Sequence, residues 1–204
     1  MRLHPTAIVE DGVPIGEGTV IWDSAHIRRG ARIGSRCIVG EKSYVAGETS
    51  IGDLVKINAF VYVCAGVTIE RGVMVAAGTV FTNDLFPRAT TTDLRSLRTS
   101  EVDEHTRPTL VREGATIGAH CTIGSGLVIG RFAMLGMASV VTRSIPDFAL
   151  ALGAPARTVG WVCRCGQPVV REAQPAQTRL PCAACGLAYA FREGQIVELS
   201  PPAT

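Results

Sequence analysis

The sequence predicts an all-β protein, built as a parallel β-helix in which short strands follow a coil and stack on one another. The main observation is a six-residue repeat with a large apolar side chain at every sixth position. This register contains Leu3, Val9, Ile15, Ile21, Ile27, Ile33, Val39, Val45, Ile51, Ile57, Val63, Ile69, Val75 and Phe81. An amphipathic helix would need a period of about 3.6 residues and an alternating strand a period of two. A period of six instead fits short strands with a bend after each.

A second register of small or β-branched residues lies four positions after each large one. It contains Ala7, Val13, Thr19, Ala25, Ala31, Cys37, Ser43, Thr49, Val55, Val61, Val67, Val73 and Thr79. We expect the large residues to point to the axis of the coil and the small ones to point inward near the corners. Stacked coils would then pair strands in parallel around an aliphatic column. We expect Gly16, Gly34, Gly40 and Gly52 to permit the bends.

A polar insertion interrupts the repeat at residues 84–110, directly after the segment "VFTND". The repeat then resumes with Val111, Ile117, Ile123, Ile129, Leu135 and Val141. Compact domains seldom carry so long a loop without a use, although a tolerated surface insertion is the alternative. Because the inward positions are structural, a functional site is expected at the corners, on the outer faces or on this loop.

Residues 158–204 are predicted to form a second, smaller domain that resembles a zinc ribbon. Two cysteine pairs, "CRCG" and "CAACG", supply Cys163, Cys165, Cys182 and Cys185. Four thiolates suit a structural zinc ion and leave no open position for catalysis. A segment with few apolar residues needs such a cross-link. Unmetallated thiols or a redox pair are the alternative. Cys37 and Cys121 fall in the small inward register and are predicted to be core residues.

Composition excludes several classes of partner. The formal net charge of +2 favours neither a nucleic-acid nor a membrane partner. No run of about 18 apolar residues is present, and the start "MRLHPTAIVEDG" lacks the apolar core of a secretory signal. Seven cysteines in such a chain favour reduced thiols and a cytoplasmic location.

The repeats, the loop after "VFTND" and the closing "VVTRSIPDFALALGAPAR" resemble the hexapeptide-repeat acyltransferases. Within that family, "FTNDLFPRA" followed by "PTLVREGATIGAHCTIGSGLVIG" is similar to enzymes that acetylate the 3-amino group of UDP- or dTDP-linked deoxy sugars. The resemblance covers about residues 3–161. It implies a left-handed, three-sided coil with 18 residues per turn, formed by residues 1–157. It also implies acetyl-CoA as co-substrate and a homotrimer with active sites between subunits.

The resemblance implies catalytic roles for residues at the start of the loop and just after it. Asn83 would orient the substrate amine, and Asp84 would hold its ammonium form or shape the loop as a turn-forming residue. Arg88 would contact a diphosphate or a sugar carboxylate. Many relatives use a histidine as general base, which makes His120 the candidate here. Similar nucleotide-sugar enzymes often have asparagine there, so solvent or the leaving thiolate could take the proton instead.

Acetyl-CoA is expected along the late coils. Gly136 and Ala138 would let its pantetheine arm approach the backbone. Ala154, Pro155 and Arg157, in the segment "GAPAR", match the part of the family that closes over the adenine end, and Arg157 could pair with a phosphate.

Three functions are therefore open. The first is N-acetylation of a nucleotide-linked amino sugar. The second is O-acetylation of another small acceptor, which would need a true general base. The third is a non-catalytic scaffold whose ribbon recruits a partner.

Overall fold

The computed structural model describes residues 1–99 and 102–199, and every regular element within them is a β-strand. Residues 100–101 of the predicted loop and residues 200–204 of the predicted second domain lie outside this description. Among the described residues, no helix has the length and apolar character needed to cross a membrane.

The strands of the coil are two to four residues long. In chain order they are β1 (Arg2–Leu3), β2 (Ile8–Val9), β3 (Val20–Ile21), β4 (His26–Ile27), β5 (Arg32–Ile33), β6 (Ile38–Val39), β7 (Tyr44–Val45), β8 (Ser50–Ile51), β9 (Lys56–Ile57), β10 (Tyr62–Val63), β11 (Val67–Ile69), β12 (Met74–Val75), β13 (Val80–Phe81), β14 (Thr109–Val111), β15 (Thr116–Ile117), β16 (Thr122–Ile123), β17 (Val128–Ile129), β18 (Met134–Leu135), β19 (Val140–Val141) and β20 (Ala149–Leu152). The strands that follow are β21 (Arg157–Val162), β22 (Pro168–Val170), β23 (Arg179–Pro181), β24 (Ala188–Arg192) and β25 (Gln195–Glu198).

Three parallel sheets form the faces of the coil. Sheet 1 contains β1, β3, β6, β9, β12, β15, β18 and β20, sheet 2 contains β2, β4, β7, β10, β13, β16 and β19, and sheet 3 contains β5, β8, β11, β14 and β17. Paired residues such as Arg2 and Val20 are 18 positions apart in sequence. The predicted three-sided parallel β-helix with 18 residues per turn is confirmed, while its left-handed sense stays a prediction.

The two inward registers form the core of the coil, as predicted. Val39, Ile57, Val75 and Ile117 are completely buried. Cys37 and Cys121 are also buried, each about 1% exposed, which confirms them as core residues. In the first coil, Leu3 occupies the same register and is 41% exposed.

Buried hydroxyl groups in the small register are all paired. The Thr19 hydroxyl donates to the carbonyl oxygen of Gly34 at 2.7 Å, and the Ser43 hydroxyl donates to that of Asn58 at 2.9 Å. Among the described residues, no buried side-chain nitrogen or oxygen lacks a partner. Polar residues can therefore occupy this register without the cost of an unsatisfied group.

The bends are made differently from the prediction. Gly16, Gly34, Gly40 and Gly52 do not have positive φ, so the prediction that they supply the bends is wrong. The left-handed residues lie three positions after the large aliphatic ones, and many are not glycine. In the first coils they are Gly12, Gly18, Ser24, Gly30, Arg36, Lys42, Glu48, Leu54 and Phe60.

The four glycines serve the stacking of the coils instead. A Cβ built on Gly40 would lie 2.5 Å from the carbonyl carbon of Asn58 in the next coil. Real Cβ atoms do not approach backbone so closely, so glycine is needed there for coil-to-coil contact rather than for the turn.

The loop leaves and returns at one corner of the coil. Thr109 of β14 pairs with Val67 of β11 in the register that the rest of sheet 3 follows. The Asn83 carbonyl accepts the N–H of Arg107 at 2.7 Å, and Asp84 bridges to Thr106. The insertion therefore leaves the stacking of the coils intact.

The C-terminal segment continues from sheet 1. Strand β21 runs antiparallel to β20 and then pairs with β22, while β23, β24 and β25 form a separate antiparallel sheet. Because β21 spans residues 157 and 158, the chain passes from the coil into the segment within one strand. The division into domains at this position stays a prediction.

Candidate functional site

Two edges of the coil carry the predicted site residues. We define the first edge as the turns that lead from sheet 1 to sheet 2, and the second edge as the turns that lead from sheet 2 to sheet 3.

A polar cavity of about 450 Å³ lies on the second edge, where the loop leaves the coil. Its lining includes Arg28, Arg29, Tyr44, Tyr62 and Asn83. The arginines follow β4 in the turn, and the tyrosines are outward-facing residues of β7 and β10. Glu48 also lines the cavity, which therefore joins a corner with charges of both signs to an aromatic face.

The aromatic face arises from the coil period. His26, Tyr44 and Tyr62 are 18 residues apart and pair directly across sheet 2. The rings of Tyr44 and Tyr62 stack with centroids 5.2 Å apart and planes 6° apart, while His26 meets Tyr44 edge-on at 5.5 Å. Arg28 Nη1 donates to the Tyr44 hydroxyl at 2.9 Å. Tyr44 and Tyr62 were not singled out from the sequence, although aromatic residues at an 18-residue spacing in outward positions were the available signal.

Charges at this corner are organised by hydrogen bonds. The backbone N–H of Arg29 donates to Glu10 Oε2 at 2.9 Å, and His26 Nε2 lies 3.0 Å from Glu10 Oε1. These contacts lower the pKa of Glu10, and the hydrogen bond from the N–H of Arg29 has the largest effect. The hydrogen bond with the Tyr44 hydroxyl raises the pKa of Arg28. The corner thus holds fixed charges at neutral pH.

Cys64 also lines this cavity, 3% exposed. Burial raises the pKa of its thiol to about 12. Because the thiolate is the reactive form, Cys64 is not a nucleophile near neutral pH.

Asn83 and Asp84 follow β13, at the corner where the sequence placed them. Asn83 lines the cavity, and its backbone carbonyl accepts the N–H of Arg107. Asp84 Oδ1 accepts the N–H of Phe86 at 3.0 Å, which is the turn-forming arrangement that the sequence left open. Arg88 is exposed and donates from Nη1 to the carbonyl of Pro87 at 3.0 Å.

His120 lies on the first edge, in the turn after β15, with φ of 56°. Its N–H donates to the carbonyl of Ala77 at 2.8 Å, and its imidazole ring is exposed. The ring lies over Gly78 of the preceding coil, since a Cβ built on Gly78 would be 2.5 Å from His120 Nδ1. Gly78 thus leaves the space that the ring occupies.

Ala138 and Gly136 lie on the same edge, one coil after His120. Ala138 is exposed, and its N–H donates to the carbonyl of Ala119 at 2.8 Å. Gly136 is covered by Leu152, because a Cβ there would be 2.1 Å from Leu152 Cδ2. The absence of a side chain at Gly136 therefore makes room for Leu152.

The turn that contains Ala154 and Pro155 packs onto β19 on the first edge. Val140 donates its N–H to the carbonyl of Gly153 at 3.0 Å and accepts the N–H of Ala156 at 2.8 Å. The peptide bond between Ala154 and Pro155 is cis, and both residues are exposed.

Arg157 begins β21 next to this turn. It is exposed and donates from Nη1 to the carbonyl of Ala156 at 2.9 Å. Its guanidinium is held at the end of the coil, close to the turn that contains Ala154 and Pro155.

The structure therefore divides the predicted site between two edges. His120 and the predicted acetyl-CoA residues share the first edge, whereas Asn83 lines the polar cavity on the second edge. Asp84 and Arg88 follow Asn83 in the loop and are not part of the cavity lining. Within one chain, the edges are separated by sheet 2. His120 and Asn83 consequently do not belong to one site of a single chain.

The four cysteines predicted as metal ligands come together in the C-terminal segment. The Sγ atoms of Cys163, Cys165, Cys182 and Cys185 all lie within 4.8 Å of one another. All seven cysteines of the chain carry free thiols.

Comparison with known proteins identifies the repeat. Residues 12–47 and 48–83 match the family described as bacterial transferase hexapeptide (six repeats). The dTDP-3-amino-3,6-dideoxy-alpha-D-galactopyranose 3-N-acetyltransferase of Aneurinibacillus thermoaerophilus is 43% identical over 91 residues, which are 45% of this chain and 45% of that protein. The bifunctional protein GlmU of Thermosipho africanus (strain TCF52B) is 26% identical over 165 residues, covering 78% of this chain and 30% of that protein. The chain thus spans less than half the length of these curated relatives.

Two solved structures are also similar, the first of which is described as an N-acyltransferase. AntD from Bacillus cereus, in complex with dTDP and 3-hydroxybutyryl-CoA, has a TM-score of 0.47 and 20% identity, covering 80% of each chain. PerB from Caulobacter crescentus, in complex with CoA and GDP-perosamine, has a TM-score of 0.39 and 22% identity, covering 78% of this chain and 56% of that one.

The family matches and the coil describe the same repeat. The matched residues run from the first coil to the start of the loop, and the register continues beyond the loop in β14 to β19. Residues 12–83 therefore match the family described as bacterial transferase hexapeptide (six repeats), and the same six-residue register continues in the coil beyond them.

Proposed function

We propose that the protein is an acetyl-CoA-dependent N-acetyltransferase that acts on the amino group of a nucleotide-linked (UDP or dTDP) amino sugar. The observation that carries this proposal is the 43% identity over 91 residues to a dTDP-3-amino-sugar 3-N-acetyltransferase. It favours dTDP over UDP and acetyl over longer acyl groups.

The polar cavity on the second edge suits such an acceptor. Arg28 and Arg29 can pair with a diphosphate, since guanidinium groups bind phosphate oxygens in a bidentate manner. The stacked rings of Tyr44 and Tyr62 offer an aromatic surface for a base. Among the described residues, none forms a hydrogen bond with the Asn83 side-chain amide, which leaves it available to orient the amino group. Arg88 is a further cation for the diphosphate.

The reaction needs positioning more than it needs activated protein groups. A neutral amine attacks the thioester carbonyl, a C–N bond forms, the C–S bond breaks, and coenzyme A leaves as the thiolate. The chain's task is to hold the amine and the thioester at attack distance, which can lower the barrier by about 7–11 kcal/mol. Asn83 would orient the amine and Asp84 would fix the start of the loop. The proton released by nitrogen passes to the thiolate, to solvent or to His120.

We place the active site between two copies of the chain, in a homotrimer. His120, Ala138 and Arg157 on the first edge of one protomer would face the second edge and the loop of its neighbour, whereas Gly136 is covered by Leu152 of its own chain. The separation of the two residue sets by sheet 2 supports this arrangement, because a single chain cannot bring them together. Acetyl-CoA would lie along the first edge, with Ala154, Pro155 and Arg157 at its adenine end.

We also propose zinc as a structural cofactor at the four cysteines, away from the reacting atoms. Four protein ligands leave no position for a substrate oxygen or nitrogen. The free thiols agree with a reducing cytoplasm as the location.

Activity is tested by incubating the protein with acetyl-CoA and a panel of UDP- and dTDP-linked 3-amino sugars while free thiol release is followed. We expect turnover with a dTDP-linked sugar and none with the corresponding 3-hydroxy sugars. Turnover of only the hydroxy sugars would support O-acetylation. Absence of acetyl-CoA binding in calorimetry would support a non-catalytic scaffold.

We expect Asn83→Ala to lower kcat/KM for the amino sugar by at least about 100-fold, because misplacement of a reacting group by about 1 Å has that effect. Thr68→Ala is the matched control, since Thr68 is an exposed polar residue on the outer face of sheet 3, outside both edges. Steady-state kinetics of both variants measure the difference. Undiminished activity of Asn83→Ala would refute the assignment.

We expect His120→Ala to keep most of its activity on the amino sugar, with less than about a tenfold fall in kcat, because a neutral amine does not need a general base. Removal of a working general base would instead cost about 10²–10⁴-fold. Kinetics from pH 6 to 9 distinguish the two cases. A loss of that size, together with loss of the lower pH limb, would assign the base to His120.

A further inference from the structure

The four sulfur atoms have the spacing of thiolates around one tetrahedral ion. Cys163 Sγ lies 3.4 Å from Cys185 Sγ, and Cys165 Sγ lies 3.6 Å from Cys182 Sγ. Zinc–sulfur bonds of about 2.3 Å place the sulfurs of a tetrahedron about 3.8 Å apart. A disulfide would need about 2.05 Å. The arrangement thus fits a zinc ion better than two disulfides.

The backbone around the cysteines forms two matching turns, although the pairs differ by one residue in spacing. In the first turn the N–H of Cys163 donates to the carbonyl of Gln167 at 2.8 Å, and in the second the N–H of Cys182 donates to that of Leu187 at 2.8 Å. The N–H groups of Gln167 and Leu187 face the sulfurs of Cys165 and Cys185. Each turn contains a glycine with positive φ, Gly166 or Gly186.

A single tyrosine joins this cluster to the end of the coil. Tyr189 is completely buried, its hydroxyl donates to Cys163 Sγ at 3.1 Å, and it accepts the N–H of Arg164 at 3.0 Å. Its ring meets Phe148 edge-on at 5.4 Å, and Phe148 stacks on Phe132 at 5.4 Å. Phe132 and Phe148 belong to the last coils. An unbroken line of contacts therefore runs from the sulfurs to the coil.

The two ends of the coil differ in how far their apolar residues are exposed to solvent. At the N-terminal end Leu3 is 41% exposed, whereas at the C-terminal end Ala149 and Ala151 of β20 are completely buried. Leu180 and Ile196 of the C-terminal segment are buried in the same hydrophobic cluster as the coil residues. A small segment of this kind is usually stabilised by a cross-link in addition to its apolar residues.

We propose that the zinc-loaded C-terminal segment is the cap of the coil, and that Tyr189 is the positioning residue that couples the metal ion to the last coil. The inference rests on the zinc part of the proposed function and is independent of acetyl transfer. Zinc binding at the four cysteines orders both turns. The Tyr189 hydroxyl donates a hydrogen bond to the Cys163 thiolate, and the Tyr189 ring packs against Phe148. Zinc binding therefore also stabilises β20 and β21.

Metal content tests the site directly. The full chain, expressed in zinc-containing medium and purified with a reductant, is expected to hold about one zinc per chain by elemental analysis. Cys182→Ser is expected to lose it. The matched control is Cys37→Ser, because serine already occupies the same buried register at Ser43 and should leave the zinc in place. Zinc-free wild-type protein, or a Cys182→Ser variant that retains zinc, would overturn the metal site.

Two further measurements test the cap and the role of Tyr189. Tyr189→Phe removes the hydrogen bond to Cys163, and loss of such a bond typically weakens metal affinity by about 10–100-fold, which competition with a chromophoric chelator measures. In Cys182→Ser, amide hydrogen exchange is expected to speed up at least tenfold in β20 and β21 and to stay unchanged in β9 and β12. Unchanged exchange in β20 would overturn the cap, and unchanged zinc affinity of Tyr189→Phe would overturn the role of Tyr189. None of these readouts depends on catalysis, so a failed activity assay would not affect them.

Discussion

We expect Ile57→Ala to lower the free energy of unfolding by about 2–5 kcal/mol, the usual cost of such a truncation in a packed core. Ile57 is completely buried and is paired between Val39 in the coil below and Val75 in the coil above. The truncation would leave a cavity at residue 57. Neighbouring coils cannot move together to fill it, because the hydrogen bonds of the three sheets fix the spacing between coils. The loss is therefore expected at the upper part of this range.

The adjacent residue provides the control. Lys56 lies on the same strand but points outward and is exposed, so Lys56→Ala should change stability by less than about 0.5 kcal/mol. Urea unfolding of wild type and both variants, at one fixed protein concentration, measures the difference. Equal stability of the two variants would show that the sixth-position residues do not form the core of the coil.

The fold could be predicted because one residue in six carries the decisive information. The side chain at each sixth position must point inward, so Ile57 and Ile117 identify their strands without any knowledge of the rest of the structure. The bends were harder to predict, because a left-handed turn accepts residues such as Phe60 and His120 when the coil enforces it. Glycine is therefore a poor marker of the bends in this chain: Gly40 lies outside the left-handed positions and instead lets neighbouring coils stack closely.

The candidate site could be predicted only in part, because it depends on which residues of successive coils lie next to one another. Asn83 follows directly from the end of the repeat, and the cysteines follow from their spacing. Tyr44 and Tyr62 come together only when the period of 18 is known, since six-residue spacing does not say which strands share a sheet. Tyr189 approaches Cys163 through the packing of an antiparallel hairpin, for which the sequence gives no comparable signal.

Excision of the loop is expected to leave the coil folded and to abolish efficient turnover. Removing residues 84–107 joins Asn83 to Pro108 and restores a six-residue spacing between Phe81 and Val111. The hydrogen bond of 2.7 Å between the Asn83 carbonyl and the N–H of Arg107 shows that the two ends already meet. The excision shortens the connection between β13 and β14 from residues 82–108 to three residues. Because loop-closure entropy changes by only about 0.6 kcal/mol per doubling of length, the free energy of unfolding should change by no more than about 2 kcal/mol, in the direction of greater stability.

Turnover should respond differently, since the loop contributes Val102 to the polar cavity and Asp84 to the turn beside Asn83. We expect kcat/KM for the amino sugar to fall by at least about 100-fold, while acetyl-CoA affinity, measured by calorimetry, stays within threefold because its proposed contacts lie on the first edge. A shorter excision of residues 90–97 is the control. The Ala89 carbonyl already accepts the N–H of Arg98 at 3.0 Å, and the cavity lining is untouched, so turnover should fall by less than about tenfold. Full activity after the long excision would make the insertion a tolerated surface loop and would place amine recognition on the coil alone.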